Sequence, residues 1–320
     1  MLANPVWVVL VGALAGLLPG LFGFGGGWLL VPILVLLIGD AGWAYAPGTA
    51  LCAILAGASS GVAGLWLGGR HEAHAAAPPP ARQAVTVVMV TVGLLGTAMG
   101  KLVLQRRLVG LASATMVLDG VLIVVLLVIG GRLLYEAVVG YERAAPRQAD
   151  AVHLVGLGLA TLVPGALSGL LGIGGGILYF PLLLFFLHWG ADDARATSRL
   201  TVLGSALLGA GLYAWSGGVH FATAAGMFIP AGVVGVATSR VRFSHSPGRV
   251  RAFKLLSSVM ALAALVLTAL HMARGGGLAR PQGSGGLPAA ALAVAVPLVW
   301  GVACALGQRL VTKRNLQIGE

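Results

Sequence analysis

Long apolar runs separated by short polar stretches set the pattern of this 320-residue chain. A helix that crosses the hydrocarbon core of a bilayer needs roughly 20 apolar residues, and nine runs approach or exceed that length. The first four are A (about residues 5–38), B (43–67), C (84–104) and D (109–134). After a polar stretch come A′ (about 152–187), B′ (196–215), C′ (222–241) and D′ (255–270), and a glycine-rich loop then leads to E (about 287–310). A and A′ are long for one straight span and short for two full ones. Each contains a glycine cluster, so each is predicted to be two half-helices joined by unwound chain. The expected fold class is an all-α polytopic membrane protein, with two tandem repeats of about four transmembrane segments, broken first helices and a C-terminal transmembrane helix. The corresponding boundaries are 1–134 for repeat 1, 135–151 for a linker, 152–271 for repeat 2, 272–286 for the glycine-rich loop and 287–320 for the last helix and its basic tail.

The repeat is visible in the letters. Residues 16–32 read GLLPGLFGFGGGWLLVP and residues 165–181 read GALSGLLGIGGGILYFP, with 10 of 17 positions identical at an offset of 149. The likeness extends further: Gly93 and Gly96 align with Gly232 and Gly235, and Thr49 aligns with Thr197 after a one-residue gap.

Composition agrees with the pattern. The chain is 58% hydrophobic and 9% charged, against about 25% charged in a soluble domain. Its net charge of +11 is carried by residues clustered between apolar runs, which fits orientation across a membrane and not nucleic-acid binding. With A and A′ each counted as one broken crossing, 13 of the 20 Lys and Arg fall on one side. The positive-inside rule makes that side cytoplasmic. This topology has nine crossings, the C-terminus inside and parallel repeats. If A and A′ were re-entrant hairpins, the repeats would be inverted and the basic C–D and C′–D′ loops would lie on opposite sides. Trp7, Trp43, Trp66, Trp189 and Trp215 fall near segment ends, as an interfacial belt requires. Cys52 and Cys304 sit in apolar runs and read as small buried hydrophobes.

The chemistry begins with the glycines. Unwound backbone inside a bilayer is tolerated only where protein or a water-filled cavity satisfies its polar groups. A half-helix that starts after Gly25, Gly26 and Gly27 presents first-turn N–H groups and a positive dipole end, which attract anions. Gly174, Gly175 and Gly176 offer the same in the second copy, and two converging ends would form an anion site of the kind found in transporters with broken helices. The competing reading is that the glycines only permit tight helix packing. No Gly-Lys-Ser/Thr follows, so this is not a nucleotide loop.

Arg199 opens B′ and can hold an oxyanion with paired donors, unless it is an interfacial side chain reaching for water. Thr49, Thr197 and Ser198 offer hydroxyls, unless they serve as helix caps. Asp119 is the acid in the middle of a span, a candidate for proton coupling or a structural ion pair with Lys101 or Arg107. The seven histidines lie at segment ends or in loops and form no metal-ligand cluster, so neither metal nor cofactor is expected.

The doubled glycine motif, followed by the stretches around Thr49 and Thr197, resembles the sulfite exporter TauE/SafE family of membrane transporters. The resemblance covers about residues 14–270. It implies a bacterial inner-membrane permease for sulfite, a sulfonate or a related small sulfur-containing anion, driven by an ion gradient such as H+. Its partners would be the anion, the coupling ion and the bilayer, with no nucleic acid; a homodimer is compatible with these features. Position 50 is Ala where the second copy has Ser198, and Pro19 replaces Ser168, so the halves are chemically unequal. An intramembrane serine hydrolase at Ser168 lacks a mid-span histidine base. An anion channel or a non-transporting scaffold is the other alternative.

Overall fold

The computed structural model describes residues 5–23, 25–38, 42–68, 80–105, 151–189 and 191–239, with scattered positions between 120 and 138 and between 255 and 269. Asp119, most of D, D′ and the linker, the glycine-rich loop and E lie outside the described residues. The described chain is helical and contains no strand. Its elements are α1 (Pro5–Leu17), continued by a widened π turn (Leu18–Phe22), α2 (Gly27–Ile38), α3 (Gly42–Gly68), α4 (Pro80–Met99, continued by a second π turn, Gly100–Leu104), α5 (Ala151–Leu171), α6 (Gly176–Phe186), α7 (Ala191–Trp215) and α8 (Phe221–Ser239).

Among the described residues four stretches are long and apolar enough to cross a membrane: Gly42–Gly64, Arg82–Leu104, His153–Leu171 and Phe221–Ser239. B, C and C′ match α3, α4 and α8 within a few residues, whereas α7 begins five residues before the start expected for B′. Exposed apolar side chains mark the perimeter: Val6 and Val9 on α1, Val87 and Leu95 on α4, Val155 and Leu159 on α5, and Ile229 and Val233 on α8. The side chains of α2 and α6 are largely buried, from Trp28 to Val35 and from Ile177 to Leu184. A short helix that is apolar all round needs such a setting, because it has no polar face to give to water. The tryptophan belt holds only in part. Trp7 and Trp215 are exposed, but Trp43 and Trp189 are buried in the core.

Residue contacts fix the helix directions. Phe186, at the end of α6, packs edge-on against His153 at the start of α5, with ring centroids 6.3 Å apart. Segment A′ therefore folds back on itself as a hairpin. In the first half, Gly57 and Gly61 of α3 meet Gly16 and Gly20, so α1 runs parallel to α3. Gly174 touches both Gly25, just before α2, and Ile54 on α3, while Val35 near the end of α2 meets Gly42. Hence α2 runs antiparallel to α3, and α1 and α2 form a second hairpin. The expectation of single broken crossings is thus overturned. Helix α5 alone is 21 residues, about 31 Å at 1.5 Å per residue, which already matches the hydrocarbon thickness and leaves A′ nowhere to go but back.

The expected parallel sense of the two halves is overturned as well. Gly48 of α3 meets Tyr213 of α7 and Leu51 meets Gly209, so α3 and α7 are antiparallel. Helix α1 runs parallel to α8, through Gly12 with Met227, Gly16 with Ala231 and Gly20 with Thr238. Helix α5 runs parallel to α4, through Gly165 with Gly93 and Gly169 with Thr97. Each element of α5–α8 therefore points opposite to its counterpart in α1–α4. The halves interlock, each first helix lying on the fourth helix of the other half.

Candidate functional site

The two glycine breaks meet. A Cβ placed on Gly25 would lie 3.3 Å from the Gly174 Cα, and one on Gly27 would lie 2.4 Å from both the Gly172 carbonyl oxygen and the Ile173 Cα. Backbone lies on backbone at this crossing, which only glycine permits. In the second break Gly172, Gly174 and Gly175 all have positive φ (71°, 73° and 66°), the left-handed region that glycine enters without steric cost, so the chain turns sharply before α6 begins. Gly26 and Gly175 then open the two short helices. The Gly26 carbonyl accepts from the Leu29 and Leu30 amides, and the Gly175 carbonyl from the Leu178 and Tyr179 amides. No side chain caps the start of α6. The starts of α2 and α6 thus lie at a buried crossing, each with the positive end of its dipole toward the middle of the bundle. The residues around them, Leu18, Trp28, Ile54, Ile173 and Val202, are buried.

The other ends of the hairpin tips are carbonyl ends, and α7 satisfies both. At the first tip the Gly23 amide donates to the Pro19 carbonyl at 3.1 Å, with Gly23 at φ 77°. Arg199 is 1% exposed; its Nε donates to the Pro19 carbonyl at 2.9 Å and its Nη2 donates to the Gly20 carbonyl. One turn earlier, Arg195 Nη1 donates to the Leu21 carbonyl at 2.9 Å. At the second tip the matching carbonyls, Gly169 and Leu170, accept from the Tyr213 hydroxyl at 3.0 Å each. Lys101 places its Nζ 3.4 Å above the Tyr213 ring, a cation–π contact. Helix ends expose carbonyls that the apolar interior cannot hydrate, and cationic side chains at C-terminal ends oppose the negative dipole. A cationic clamp therefore holds one tip, and a phenol backed by a lysine holds the other.

The hydroxyls proposed for the site divide. Ser198 is fully buried and its Oγ has no hydrogen-bond partner among the described residues. It lies on α7 between Arg195 and Val202, and Val202 meets Gly25. Thr197 Oγ1 is 3.3 Å from Thr86 Oγ1 on α4. Thr49 is elsewhere: it accepts from the His220 amide at 3.0 Å, at the end of α3 that faces Tyr213. Tyr213 lies 16 residues along α7 from Thr197, about 24 Å at helical rise, so these two aligned threonines serve opposite ends of the bundle. Ser168 is also buried, without a hydrogen-bond partner for its hydroxyl among the described residues.

Arg195 and Tyr213 had no assigned place in the sequence reading of the site, and Lys101 entered it only as a candidate ion-pair partner of Asp119. A signal existed: Arg195 and Arg199 are spaced i, i+4 and share a helix face, and Tyr213 follows 14 residues after Arg199, close to four whole turns later. No group of three or more His, Cys, Asp or Glu able to hold a metal occurs among the described residues.

Residues 8–267 match the family described as sulfite exporter TauE/SafE. Two curated relatives from Xylella fastidiosa, strains 9a5c and Temecula1, each described as a probable membrane transporter protein, are similar to this chain. They are 31% identical over 194 and 198 residues, which cover 60% of this chain and 67% of each relative. No solved structure matches.

Proposed function

The chain belongs to the sulfite exporter TauE/SafE family, a family of membrane transporters, and from that premise we propose that it is a secondary active permease for a small anion. The substrate class is sulfite, a sulfonate or a related organosulfur oxyanion, moved by alternating access against a coupling gradient of H+ or another ion. The two halves are repeats of inverted sense. The anion binds where the glycine breaks cross, at the amide ends held by Gly25, Gly26 and Gly27 and by Gly174, Gly175 and Gly176. Ser198 supplies a hydroxyl. Arg199 adds positive charge beside the site while holding the first tip, and Thr197 stands on the access side. Thr49, at the far end of α3, serves the opposite access path, and Asp119 carries the coupling proton.

One observation supports this reading above the others: two helix starts brought together by direct contact between the glycine breaks, beside a buried serine hydroxyl without a partner. An anion that accepts from backbone amides and from that hydroxyl satisfies groups that would otherwise remain costly in an apolar interior. Charge supports an orientation. With the hairpins in place, and D, D′ and E each counted as one crossing, 15 of the 20 Lys and Arg fall on the side of the α3–α4 loop and the C-terminus. The positive-inside rule puts that side in the cytoplasm of a bacterial inner membrane.

The test is uptake into proteoliposomes of sulfite, sulfoacetate, taurine, thiosulfate and sulfate, with and without a pH gradient. Saturable accumulation of one sulfur oxyanion, lost in Ser198→Ala, is the expected result. Linear, non-saturating flux would assign a channel, and no flux of any of the five would sink the permease reading.

A further inference from the structure

A cavity of about 590 Å³ lies between the first turns of α4 and α7, away from the glycine crossing. Arg82, Gln83, Thr86 and Thr197 line its polar wall, and Val87 and Leu200 its apolar one. At its rim Arg82 Nη1 lies 2.8 Å from Asp193 Oδ1, with Arg82 28% and Asp193 54% exposed. The wall is ordered by its own bonds: the Thr86 hydroxyl donates to the Arg82 carbonyl at 2.9 Å, and the Thr201 hydroxyl donates to the Thr197 carbonyl at 3.1 Å. Thr197 precedes Ser198 in the chain, so the cavity ends one residue from the proposed substrate hydroxyl.

Three features point to an anion as its occupant. A guanidinium offers paired donors in the geometry of a tetrahedral or planar oxyanion, and the Gln83 amide stands beside it. The volume suits a small ligand with some of its water. The present partner of Arg82 is a carboxylate, itself an oxyanion, in an exposed pair that holds little free energy. The pair is cheap to exchange for another anion.

We propose that this cavity is a loading site for a small oxyanion, with Arg82 as the recognising cation and Asp193 as a built-in competitor that the ligand displaces. The proposal rests on the permease reading above and adds a second, outer site to it. A phosphate headgroup of an anionic lipid shares this chemistry, and the vesicle arms below separate the two sources.

The experiment uses the full chain, as wild type, Arg82→Gln, Asp193→Asn and the double variant. Sulfite and sulfoacetate binding are read by calorimetry in a neutral detergent. Flux is read in vesicles of phosphatidylcholine alone and with one-quarter phosphatidylglycerol. Arg82→Gln is expected to raise the half-saturating concentration roughly tenfold, the loss of one charged contact, with a much smaller change in maximal flux. Asp193→Asn is expected to lower half-saturation severalfold, and the double variant to match Arg82→Gln, because Asp193 acts only through Arg82. If both single variants lose stability and maximal flux together, in the same direction, the pair is merely a strut between α4 and α7 and the proposal fails. Half-saturation unmoved in phosphatidylcholine, with an Arg82-dependent thermal shift that needs phosphatidylglycerol, would give the cavity to a lipid headgroup and overturn the loading role. Arg82-dependent binding in a wild type that moves no anion would retain the site and refute the permease reading alone.

Discussion

Gly172 and Gly217 have the same positive φ of 71° and differ in what surrounds them. A Cβ on Gly172 would fall 2.3 Å from the Pro47 Cα and 2.5 Å from the Pro47 carbonyl oxygen, both backbone atoms of α3. A Cβ on Gly217 would meet nothing within 4 Å among the described residues. Replacing either with Ala places an L side chain in the left-handed region, at about 1–2 kcal/mol. At Gly172 the overlap with α3 adds a further 1–3 kcal/mol or so, the usual range for forcing atoms into a packed interior. Gly172→Ala is therefore expected to cost about 2–5 kcal/mol and Gly217→Ala about 1–2 kcal/mol. The thermal midpoint in detergent, followed by tryptophan fluorescence, should fall clearly further for Gly172→Ala. Its flux should fall too, since the Gly172 carbonyl lies against Gly27, while Gly217→Ala transports normally. Equal losses in the two variants would refute the claim that backbone contact between the second break and α3 positions the site.

Three further outcomes follow from the clamps and from Asp119. Arg199→Ala strips the Pro19 and Gly20 carbonyls of their donors and should cost about 2–5 kcal/mol and abolish flux while the protein still reaches the membrane; wild-type flux would remove Arg199 from the site. Tyr213→Phe keeps the ring beneath Lys101 but removes the donor to Gly169 and Leu170, so a loss of about 1–3 kcal/mol in thermal or denaturant stability is expected, and an unchanged midpoint would show that the second tip is held by packing alone. Asp119→Asn should remove the response of flux to an imposed pH gradient in proteoliposomes, and an unchanged response would discard the coupling role.

The hairpins show how a sound sequence rule led to a wrong topology. The positive-inside count was made on single broken crossings, and on that assumption the basic C–D and C′–D′ loops shared a side. Once Phe186 is seen against His153, the single-crossing assumption behind that count falls away. The decisive quantity was length. Residues 152–187 in one straight helix would reach about 54 Å, nearly twice the hydrocarbon thickness. Four non-helical residues between α5 and α6, three of them glycines at positive φ, turn the chain so that an 11-residue helix completes the return.

Sequence alone determined the class, the positions of B, C and C′ and the duplicated glycine breaks, because apolar length and glycine placement are local properties that the bilayer and the backbone read directly. It also singled out Arg199 and Ser198. Only the tertiary structure decided that the breaks touch, that the halves run opposite ways, that Thr49 and Thr197 lie far apart, and that Arg195, Arg199 and Tyr213 on one helix hold both hairpin tips. Those facts depend on which carbonyls lack a partner once the chain has folded, and on which side chain of another element comes close enough to donate to them. No local pattern carries that information.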